Sequence, residues 1–357
     1  MKTVLTMRAR AVAVVAAAIA IAVPAPGAHG PARAQALDVV NVGYVNSVAD
    51  SPFLIADKKG FFREAGIEVK FTTFASGATM IASAGSGDLD AGGGAPAAGL
   101  YNAVARGIGI KIVADRATDA PGYGFNVLLV RKELVTSGRY KKLSDLKGLR
   151  FAEPGKGSTS LATTSRLLEK AGLKYDDVEH VFLGFPEQVA ALKNGSIDAT
   201  CVLEPWATQA AREGLAVRIA GDDTWYPNQQ LAVLFYGNNF IQKRPEVAKR
   251  FMVAYVRALR YYSDALANGH IAGPNAPDVL AILSANLKVD DPAIFRDITA
   301  SSVDPTGHVN MKSLASDFAT YKQYGLIEGD VSPERVVDMS FVDNANTVLG
   351  RFRPKKK

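Results

Sequence analysis

Apolar and polar positions follow two alternating patterns along residues 38–240. Short runs of consecutive apolar residues, typical of buried strands, alternate with segments whose apolar residues recur every three or four positions, typical of helices. The runs at 39–45 and 148–154 predict strands, and helices are predicted after them at 52–65 and 159–171. A second apolar run follows each helix. Strands that alternate with helices predict mostly parallel sheets with helices on both faces.

The two halves of this pattern are similar in sequence, which indicates an internal duplication. Each half ends a helix with Ala-Gly-Ile/Leu, then has Gly-polar-Leu/Ile-Asp-Ala before a short strand, and then a proline that begins another helix. The paired landmarks are Gly66 and Gly172, Gly87 and Gly195, and Pro96 and Pro205, which lie 106, 108 and 109 residues apart. Two copies of one strand–helix unit predict an α/β protein of two lobes with a ligand cleft between them.

The remaining apolar segments assign the rest of the chain to these lobes. The segments 125–134 and 231–241 flank the second copy and are predicted to be the strands that cross between the lobes. A long helix is predicted over 244–266, because Pro245 lies near its first turn and apolar residues recur at helical spacing. The predicted boundaries are 1–36 for a signal peptide, 37–126 for the first part of lobe 1, 127–235 for lobe 2, 236–350 for the second part of lobe 1 with the C-terminal helices, and 351–357 for a basic tail.

The first 36 residues have the pattern of a cleavable secretory signal peptide. Three basic residues precede an apolar run of 13 residues, 11–23, which is too short to span a bilayer comfortably. Small residues and the sequence "ARAQA" follow, so cleavage is expected after Ala34 or Ala36. This pattern predicts export to the periplasm.

The charge balance does not indicate a nucleic-acid partner. The chain has 41 basic and 35 acidic residues, but four of the basic residues lie in the first 36 positions and five in the tail 351–357. The body between them is close to neutral, so no nucleic-acid binding is predicted. Cys201 is the only cysteine, which excludes an internal disulfide, and the apolar strand around it predicts a buried thiol. A monomer with two lobes is expected.

Catalytic motifs do not occur at the spacing that their chemistry requires. The segment "AEPGKGSTSLATT" (152–164) looks like a phosphate-binding loop, but glycine rather than Ser or Thr follows Lys156. His180, His270 and His308 have no Cys or carboxylate at ligand spacing, so no metal site is predicted. The Gly-x-Ser-x-Gly elbow and the dinucleotide-binding glycine motif are also missing. We therefore predict a protein that is not an enzyme and that uses no cofactor.

Four predicted helix starts are expected to face the cleft, at 51–53, 94–96, 157–159 and 204–206. In α/β sheets, ligands bind beyond the carboxyl ends of the strands, where helices begin. Glycines there allow close approach to the backbone, and the free N–H groups of a helix start attract anions. The predicted ligand-binding residues are Ser51, Pro52, Phe53, Gly93, Gly94, Ala95, Pro96, Tyr123, Gly157, Ser158, Thr159, Ser160, Glu204 and Trp206.

Side-chain chemistry gives some of these residues specific roles. The hydroxyls of Ser158, Thr159 and Ser160, with nearby backbone N–H groups, are suited to hold a carboxylate, sulfonate or phosphate-like head. Phe53 and Trp206 are expected to form flat apolar walls. For Trp206 the alternative is a plain core residue.

Three further residues have alternative interpretations. Tyr123 either reaches the cleft from its loop or is a surface tyrosine. Lys156 either contacts the ligand or points into solvent. Glu204 binds an amine or a ring nitrogen, caps the helix that follows it, or pairs with a basic side chain.

Several segments together resemble the nitrate/sulfonate/taurine group of ABC-transporter substrate-binding proteins, which also includes binders of the thiamine pyrimidine precursor. They are "PFLIADKKGFFREAGIEV", "GDLDAGGGAPAA", "KGSTS", "NGSIDATCVLEPWA" and "RPEVAKRFMVAYVRAL". The resemblance is good over residues 38–270. It implies a two-lobe, type II periplasmic binding fold that closes on its ligand and delivers it to an inner-membrane permease and its ATPase. The contacts that it implies lie at 51–53, 93–97, 157–160 and 204–206.

The resemblance leaves the ligand open. "GGGAPAA" offers only backbone where several relatives carry a side-chain hydroxyl, so the ligand head is expected to be held mainly by the second lobe. This favours an organic ligand with an apolar body over bare nitrate, and the expected head is an anion such as a sulfonate or a carboxylate. A neutral pyrimidine is the alternative ligand, and an exported enzyme or a ligand sensor is the alternative function. The enzyme branch of this group makes the pyrimidine precursor and needs a cysteine-rich motif, whereas this chain has one cysteine.

Overall fold

The computed structural model describes Met1, residues 36–287, residue 289 and residues 291–355. The predicted signal peptide, apart from its two end residues, lies outside the described residues. Within these ranges, no helix combines the length and the apolar character that a membrane crossing requires.

Ten strands of the described chain form two five-stranded sheets, one for each predicted lobe. The strands are β1 (Asp38–Tyr44), β2 (Ile67–Thr73), β3 (Ala91–Gly94), β4 (Ile110–Thr118), β5 (Asn126–Arg131), β6 (Arg150–Glu153), β7 (Glu179–Phe182), β8 (Ala199–Leu203), β9 (Ala216–Gly221) and β10 (Gln230–Gly237). The strand order is β2-β1-β3-β10-β4 in the first sheet and β7-β6-β8-β5-β9 in the second. The orders correspond strand for strand, which confirms the two-lobe α/β fold that the duplication predicts. A small hairpin joins β11 (Leu266–Ala267) to β12 (His270–Ile271).

Helices cover both faces of the two sheets. They are α1 (Ser51–Lys58), α2 (Phe61–Glu64), α3 (Gly77–Ser86), α4 (Ala98–Ala105), α5 (Lys132–Thr136), α6 (Thr159–Lys170), α7 (Phe185–Asn194), α8 (Trp206–Arg212), α9 (Asn238–Lys243), α10 (Pro245–Ser263), α11 (Ala276–Asn286), α12 (Met311–Gln323), α13 (Pro333–Val336) and α14 (Ser340–Leu349). The helix predicted over 159–171 is α6, and the long helix predicted over 244–266 is α10. The helix predicted over 52–65 is divided into α1 and α2, because Gly60 between them has a φ of 77°.

The strands β5 and β10 are exchanged between the lobes. Each follows the fourth strand of its own copy, enters the other sheet, and pairs antiparallel with both neighbours there. The strands predicted over 125–134 and 231–241 therefore exist, and the chain crosses in the links that precede them, 119–125 and 222–229. The first sheet takes residues from Gln230 onward, whereas the sequence placed residues up to 235 in lobe 2. An apolar strand does not reveal by its pattern which of two sheets it enters.

The exchanged strands are buried on both faces, as expected for the centre of a parallel-type sheet. In β10, Leu234 and Tyr236 belong to the core under α1 and α10, and Val233 and Phe235 belong to the opposite core under α3, α4 and α12. In β5, Val127 and Leu129 belong to one core of the second lobe, and Leu128 and Val130 belong to the core on the opposite face of the sheet. Each sheet therefore separates two apolar cores.

Two buried aspartates face each other where the chain crosses between the lobes. The links run side by side, since Asn228 N–H donates to Asp119 O at 2.7 Å and Asp119 N–H donates to Gln229 O at 3.1 Å. The side chains of Asp119 and Asp222 are fully buried, and the charge of Asp222 acts on the carboxyl group of Asp119. Asn126, Asp223 and Asp317 also face this pair.

Burial raises the pKa of both carboxyl groups in this pair. It raises the pKa of Asp222 to about 8, and burial together with the charge of Asp222 holds the pKa of Asp119 well above its ordinary value of 3.8. Because both values are raised on folding, the pair contributes its full stability below pH 3.8. This contribution is lost as the pH rises through the folded pKa values.

Replacing Asp119→Asn should therefore raise the melting temperature more at about pH 8.5 than at about pH 5.5. The amide removes one buried charge and can donate to the carboxylate of Asp222. Differential scanning calorimetry at several pH values measures this difference. Asp88→Asn, at an exposed aspartate, is the control and should leave the pH dependence unchanged. A shift of equal size at all pH values in Asp119→Asn would contradict the raised pKa values of this pair.

Candidate functional site

A small enclosed cavity lies between the lobes, at the carboxyl ends of the strands. It measures about 60 Å³, which corresponds to the space of roughly four or five water-sized spheres. The first lobe contributes to its wall Val45, Ala49, Ser76, Gly77, Ala78, Gly94, Ala95, Arg116, Leu231 and Ala232. The second lobe and the first link contribute Phe125, Asn126, Pro154, Ser158, Thr159, Ser160, Phe185, Cys201 and Leu203.

Hydrogen bonds between the lobes close the cleft around this cavity. The N–H of Ala98, at the start of α4, donates to Gly157 O of the second lobe at 2.9 Å. The N–H of Val48 donates to Glu204 O at 3.3 Å. The structure therefore represents a conformation in which the two lobes are in contact.

Arg116 supplies the charged group of the first-lobe wall. It lies on β4, its side chain is 1% exposed, and it is the one charged residue among the described residues that line the cavity. Its Nη2 donates to Asp50 Oδ1, while the other oxygen of Asp50 accepts from Ser47 N–H at 2.8 Å. The Nε–H group is buried and has no acceptor within the described protein. The guanidinium is thus held in position by Asp50.

Close packing of backbone explains the glycines of "AGGG" in β3. A Cβ atom on Gly93 would lie 2.7 Å from Arg116 Nε and 2.5 Å from Phe53 Cε2. A Cβ atom on Gly94 would lie 2.4 Å from Gly77 Cα, at the start of α3. Gly93 therefore leaves the space that the guanidinium occupies, and Gly94 lets α3 approach the cavity.

The start of α6 forms the second-lobe wall. Gly157 adopts a φ of 71°, and the helix begins at Thr159 with Ser158 at the N-cap position. The side chain of Ser158 does not cap the helix; its Oγ lies 2.6 Å from Ser160 Oγ. The three hydroxyl residues Ser158, Thr159 and Ser160 are all buried on the cavity wall, whereas Lys156 is exposed.

A polar network continues from these hydroxyls into the second lobe. Ser160 Oγ donates to Glu153 Oε2 at 3.1 Å, and the hydroxyl of Tyr175 donates to the same oxygen at 3.1 Å. His180 Nδ1 lies 3.4 Å from Glu153 Oε1, and the imidazole stacks on the ring of Tyr175 at 3.8 Å. Burial lowers the pKa of His180, but its interactions with Glu153 and with the carbonyl of Tyr175 outweigh burial, so the net effect raises that pKa.

Five of the predicted binding residues line the cavity. They are Gly94, Ala95, Ser158, Thr159 and Ser160. Gly93 and Gly157 lie directly behind the wall. Gly93 contacts Arg116, and the carbonyl of Gly157 accepts from the N–H of Ala98. Ligand contact by these residues stays a prediction.

The predicted start at 51–53 does not line the cavity. Ser51 Oγ donates to Val48 O at 2.5 Å, and Pro52 is buried. Phe53 belongs to the first-lobe core, with its ring centroid 5.2 Å from that of Tyr255. An extra 3₁₀ turn, Val48–Asp50, precedes α1 and brings Asp50 rather than the helix start towards the cavity.

The predicted start at 204–206 also has contacts other than the cavity. Glu204 is fully buried and accepts from the N–H and hydroxyl of Thr208 at 2.9 Å each, from Arg218 Nη1 at 2.5 Å and from the N–H of Thr299 at 3.3 Å. It therefore caps α8 and pairs with a base, which leaves it little capacity for a ligand.

Three other predicted residues, Trp206, Tyr123 and Pro96, also lie away from the cavity. Trp206 is half-buried against the second-lobe core. Tyr123 is half-buried against the first-lobe core, and Pro96 is buried with its carbonyl bonded to Tyr321. These three residues are not on the cavity wall.

Arg116 and the starts of α3 and α7 were not predicted from the sequence. Ser76, Gly77 and Ala78 at the start of α3 line the cavity, as does Phe185 at the start of α7. These two helices are counterparts in the duplication, since they follow β2 and β7. Full use of the duplication would have found them, because each copy has three helix starts rather than two.

The cysteine and two of the histidines contact groups that give them no catalytic partner among the described residues. Cys201 is buried on the cavity wall as predicted, and burial raises its pKa well above the ordinary value, so it remains a thiol. His270 bonds to Ile298 O at 2.9 Å and His308 to Asp343 at 3.0 Å, far from Glu153 and His180 in the network. In the described ranges, no three His, Cys, Asp or Glu side chains are placed to hold a metal ion.

Sequence comparison finds relatives among binding proteins. The taurine-binding periplasmic protein of Escherichia coli is 27% identical over 304 residues, which cover 83% of this chain and 89% of that protein. A binding protein of Brucella abortus is 27% identical over 220 residues, which cover 61% of this chain and 64% of the Brucella protein. This match therefore spans less than two thirds of the Brucella relative.

Solved structures of similar fold and a matching protein family identify the fold. The alkanesulfonate-binding protein SsuA of Xanthomonas axonopodis, bound to MOPS, matches with a TM-score of 0.67 and 18% identity over 85% of this chain and 98% of that one. The desulfurization enzyme DszB matches with a TM-score of 0.59 and 16% identity over 87% of this chain and 100% of that one. The fold is thus the type II periplasmic binding fold, on which enzymes also occur. The NMT1-like family matches residues 33–273, more than half of the chain, and the chain therefore belongs to the NMT1-like family.

Proposed function

We propose that this protein is the exported solute-binding component of an ABC importer and captures a small organic anion, a sulfonate or a carboxylate, in the periplasm. The observation that carries the proposal is the guanidinium of Arg116, which is buried on the wall of an interlobe cavity with one N–H left without an acceptor. Membership of the NMT1-like family and the similarity to a taurine-binding protein support the transport role. The partners of this monomer are an inner-membrane permease and its ATPase.

The cavity gives this proposal a mechanism. Its wall combines Arg116 of the first lobe with the start of α6 in the second, so a bound ligand contacts both lobes. A ligand shifts a conformational equilibrium only through its stronger binding to one state. A ligand that bridges these two groups stabilises the closed state, which the permease then recognises.

The side chains around the cavity favour binding over catalysis. The hydroxyl of a serine nucleophile is usually activated by an imidazole within hydrogen-bond reach. The hydroxyl of Ser160 is bonded to the carboxylate of Glu153, and His180 lies on the far side of that carboxylate. The thiol of Cys201 has a raised pKa because it is buried, so it is a weak nucleophile at neutral pH.

A panel of ligands should identify an anion that raises the melting temperature. At about 100 times its dissociation constant, a ligand adds ~2.7 kcal/mol to the stability, which corresponds to a rise of roughly 5 °C or more. The panel contains aliphatic and aromatic sulfonates, carboxylates and neutral pyrimidines, and calorimetry measures the affinity of each hit. Stabilisation by neutral pyrimidines alone would contradict the proposed anion, and turnover of a stabilising compound would favour an enzyme.

The double variant Asp50→Asn/Arg116→Gln should lower the affinity for the anion at least tenfold, since it removes the one cationic group on the cavity wall. Changing both residues avoids leaving Asp50 as an unpaired buried charge. Lys156→Ala removes an exposed cation from the neighbouring loop and is the matched control, with unchanged affinity expected. An equal loss in both variants would show that Arg116 is not the specific anion contact.

Gly93→Ala should also weaken binding of the anion, by tenfold or more, because the new methyl group would lie 2.7 Å from Arg116 Nε and displace the guanidinium. Gly99→Ala is the matched control. Gly99 lies on α4, and a Cβ atom there has no other atom within 4 Å. Isothermal titration of both variants measures the effect, and equal affinities would contradict the tight contact between Gly93 and the anion-binding group.

A further inference from the structure

Charged side chains meet across the cleft outside the cavity, where α8 of the second lobe approaches the 3₁₀ turn Pro292–Arg296 of the first lobe. Arg212, the last residue of α8, donates from Nη1 to Asp291 Oδ2 at 2.7 Å and from Nη2 to Asp297. These two aspartates flank the turn, and both belong to the first lobe. One guanidinium therefore joins two carboxylates of the opposite lobe.

A second polar contact joins the same segments further along the chain. Arg218 Nη2, on β9 of the second lobe, donates to Thr299 Oγ1 at 3.0 Å, and the N–H of Thr299 donates to Glu204 Oε1 at 3.3 Å. The contacting residues outside the cavity are here called the clasp: Arg212, Arg218, Asp291, Asp297 and Thr299. These five residues are not on the cavity wall.

Contacts within the first lobe hold the aspartates of the clasp in place. Ile294 and Phe295 of the turn belong to the first-lobe core. Asp291 Oδ1 accepts from the N–H of Ala293 at 2.9 Å, which fixes that carboxylate at the start of the turn. None of these contacts involves the second lobe, so opening the cleft leaves them intact and breaks the bonds to Arg212.

Pairing across the lobes distinguishes Arg212 from two other exposed arginines. Arg106 pairs with Glu328 at 2.8 Å and Arg257 pairs with Glu64 at 2.7 Å, and each of these pairs lies within the first lobe. Closure leaves such pairs unchanged, whereas it forms the pairs of Arg212. An interaction that exists in one conformation and not in the other shifts the equilibrium towards the first.

We propose that the clasp sets the affinity of the site from outside the cavity: it stabilises the closed state without contacting the ligand, strengthens the binding of every ligand by the same factor and makes binding depend on ionic strength. The proposal rests on the proposed function, in which the closed state is the one that holds the ligand. The apparent affinity then scales with the fraction of protein that is closed. Arg212, Asp291 and Asp297 are exposed, so salt screens their attraction.

Cross-linking of the ligand-free protein measures closure without any ligand. Arg166→Cys and Ser316→Cys place thiols on α6 and α12, at another contact between the lobes, where Arg166 Nη2 lies 3.4 Å from Ser316 Oγ. A short bis-maleimide joins these thiols when the lobes are in contact, so the cross-linked fraction reports how often the cleft closes. Cys201 is buried and its pKa is raised, so it does not compete for the reagent.

In this background, Arg212→Gln should lower the cross-linked fraction about two- to fivefold at low salt and change it little at about 1 M salt. Asp297→Asn should have the same effect, and combining the two should add little, because both break one pair. Arg106→Gln removes an exposed pair within one lobe and is the matched control, with an unchanged fraction expected. Equal cross-linking of Arg212→Gln and the control at low salt would overturn the clasp.

Calorimetry tests the consequence for binding, with the sulfonates and carboxylates that stabilise the wild-type protein. Arg212→Gln should weaken each of them by the same factor, about two- to fivefold, and leave their order of affinity unchanged. A loss confined to one compound would indicate direct contact with that ligand and overturn the proposed role. If no compound of the panel binds, the proposed function fails, while the cross-linking result still decides whether the clasp closes the lobes.

Discussion

The buried ion pair between Asp50 and Arg116 is the interaction on which the cavity depends. The two side chains are 0% and 1% exposed, and taking either charge out of water costs several kcal/mol unless a partner compensates. The 3₁₀ turn that ends at Asp50 supplies the carboxylate, and Gly93 leaves the space for the guanidinium. Asp50 engages one N–H group and leaves Nε–H free. The pair therefore fixes the position of the guanidinium and preserves its capacity to bind an anion.

The duplicated halves use the same topology for different purposes. In the second copy, the helix after the first strand begins at the cavity, and its hydroxyls form the wall. In the first copy, the added turn Val48–Asp50 precedes α1; its Ala49 lines the cavity, and its Asp50 binds the guanidinium of Arg116. One wall therefore presents a cation and the other presents hydroxyls anchored on Glu153. The exchange of β5 and β10 joins these walls through two adjacent links, where Asp119 and Asp222 meet.

The sequence predicted the architecture, and five of its predicted binding residues lie on the cavity wall. Alternating apolar periods and the repeated Ala-Gly and Gly-polar-Ile/Leu-Asp-Ala motifs are local signals, so the two lobes and α6 were predicted correctly. The role of Arg116 depends on contacts between positions 50, 93 and 116, which no local pattern joins. Phe53 is an apolar residue at a helix start, and its pattern is the same whether the ring faces a ligand or the core. Glu204 had several chemically reasonable partners, and only the fold brings Thr299 to it.

Recognition and closure are linked because the two walls are unlike. A cleft that closed without a ligand would bury Nε–H of Arg116 without a partner among the described residues, at a cost of roughly 1–3 kcal/mol. In an open cleft this group bonds to water. A ligand that contacts only Arg116 can bind this donor in the open cleft as well, so it binds without strongly favouring closure. A ligand with groups that match both walls removes the whole cost, and only in the closed state. The free energy that selects the ligand is then the same free energy that closes the protein for its permease.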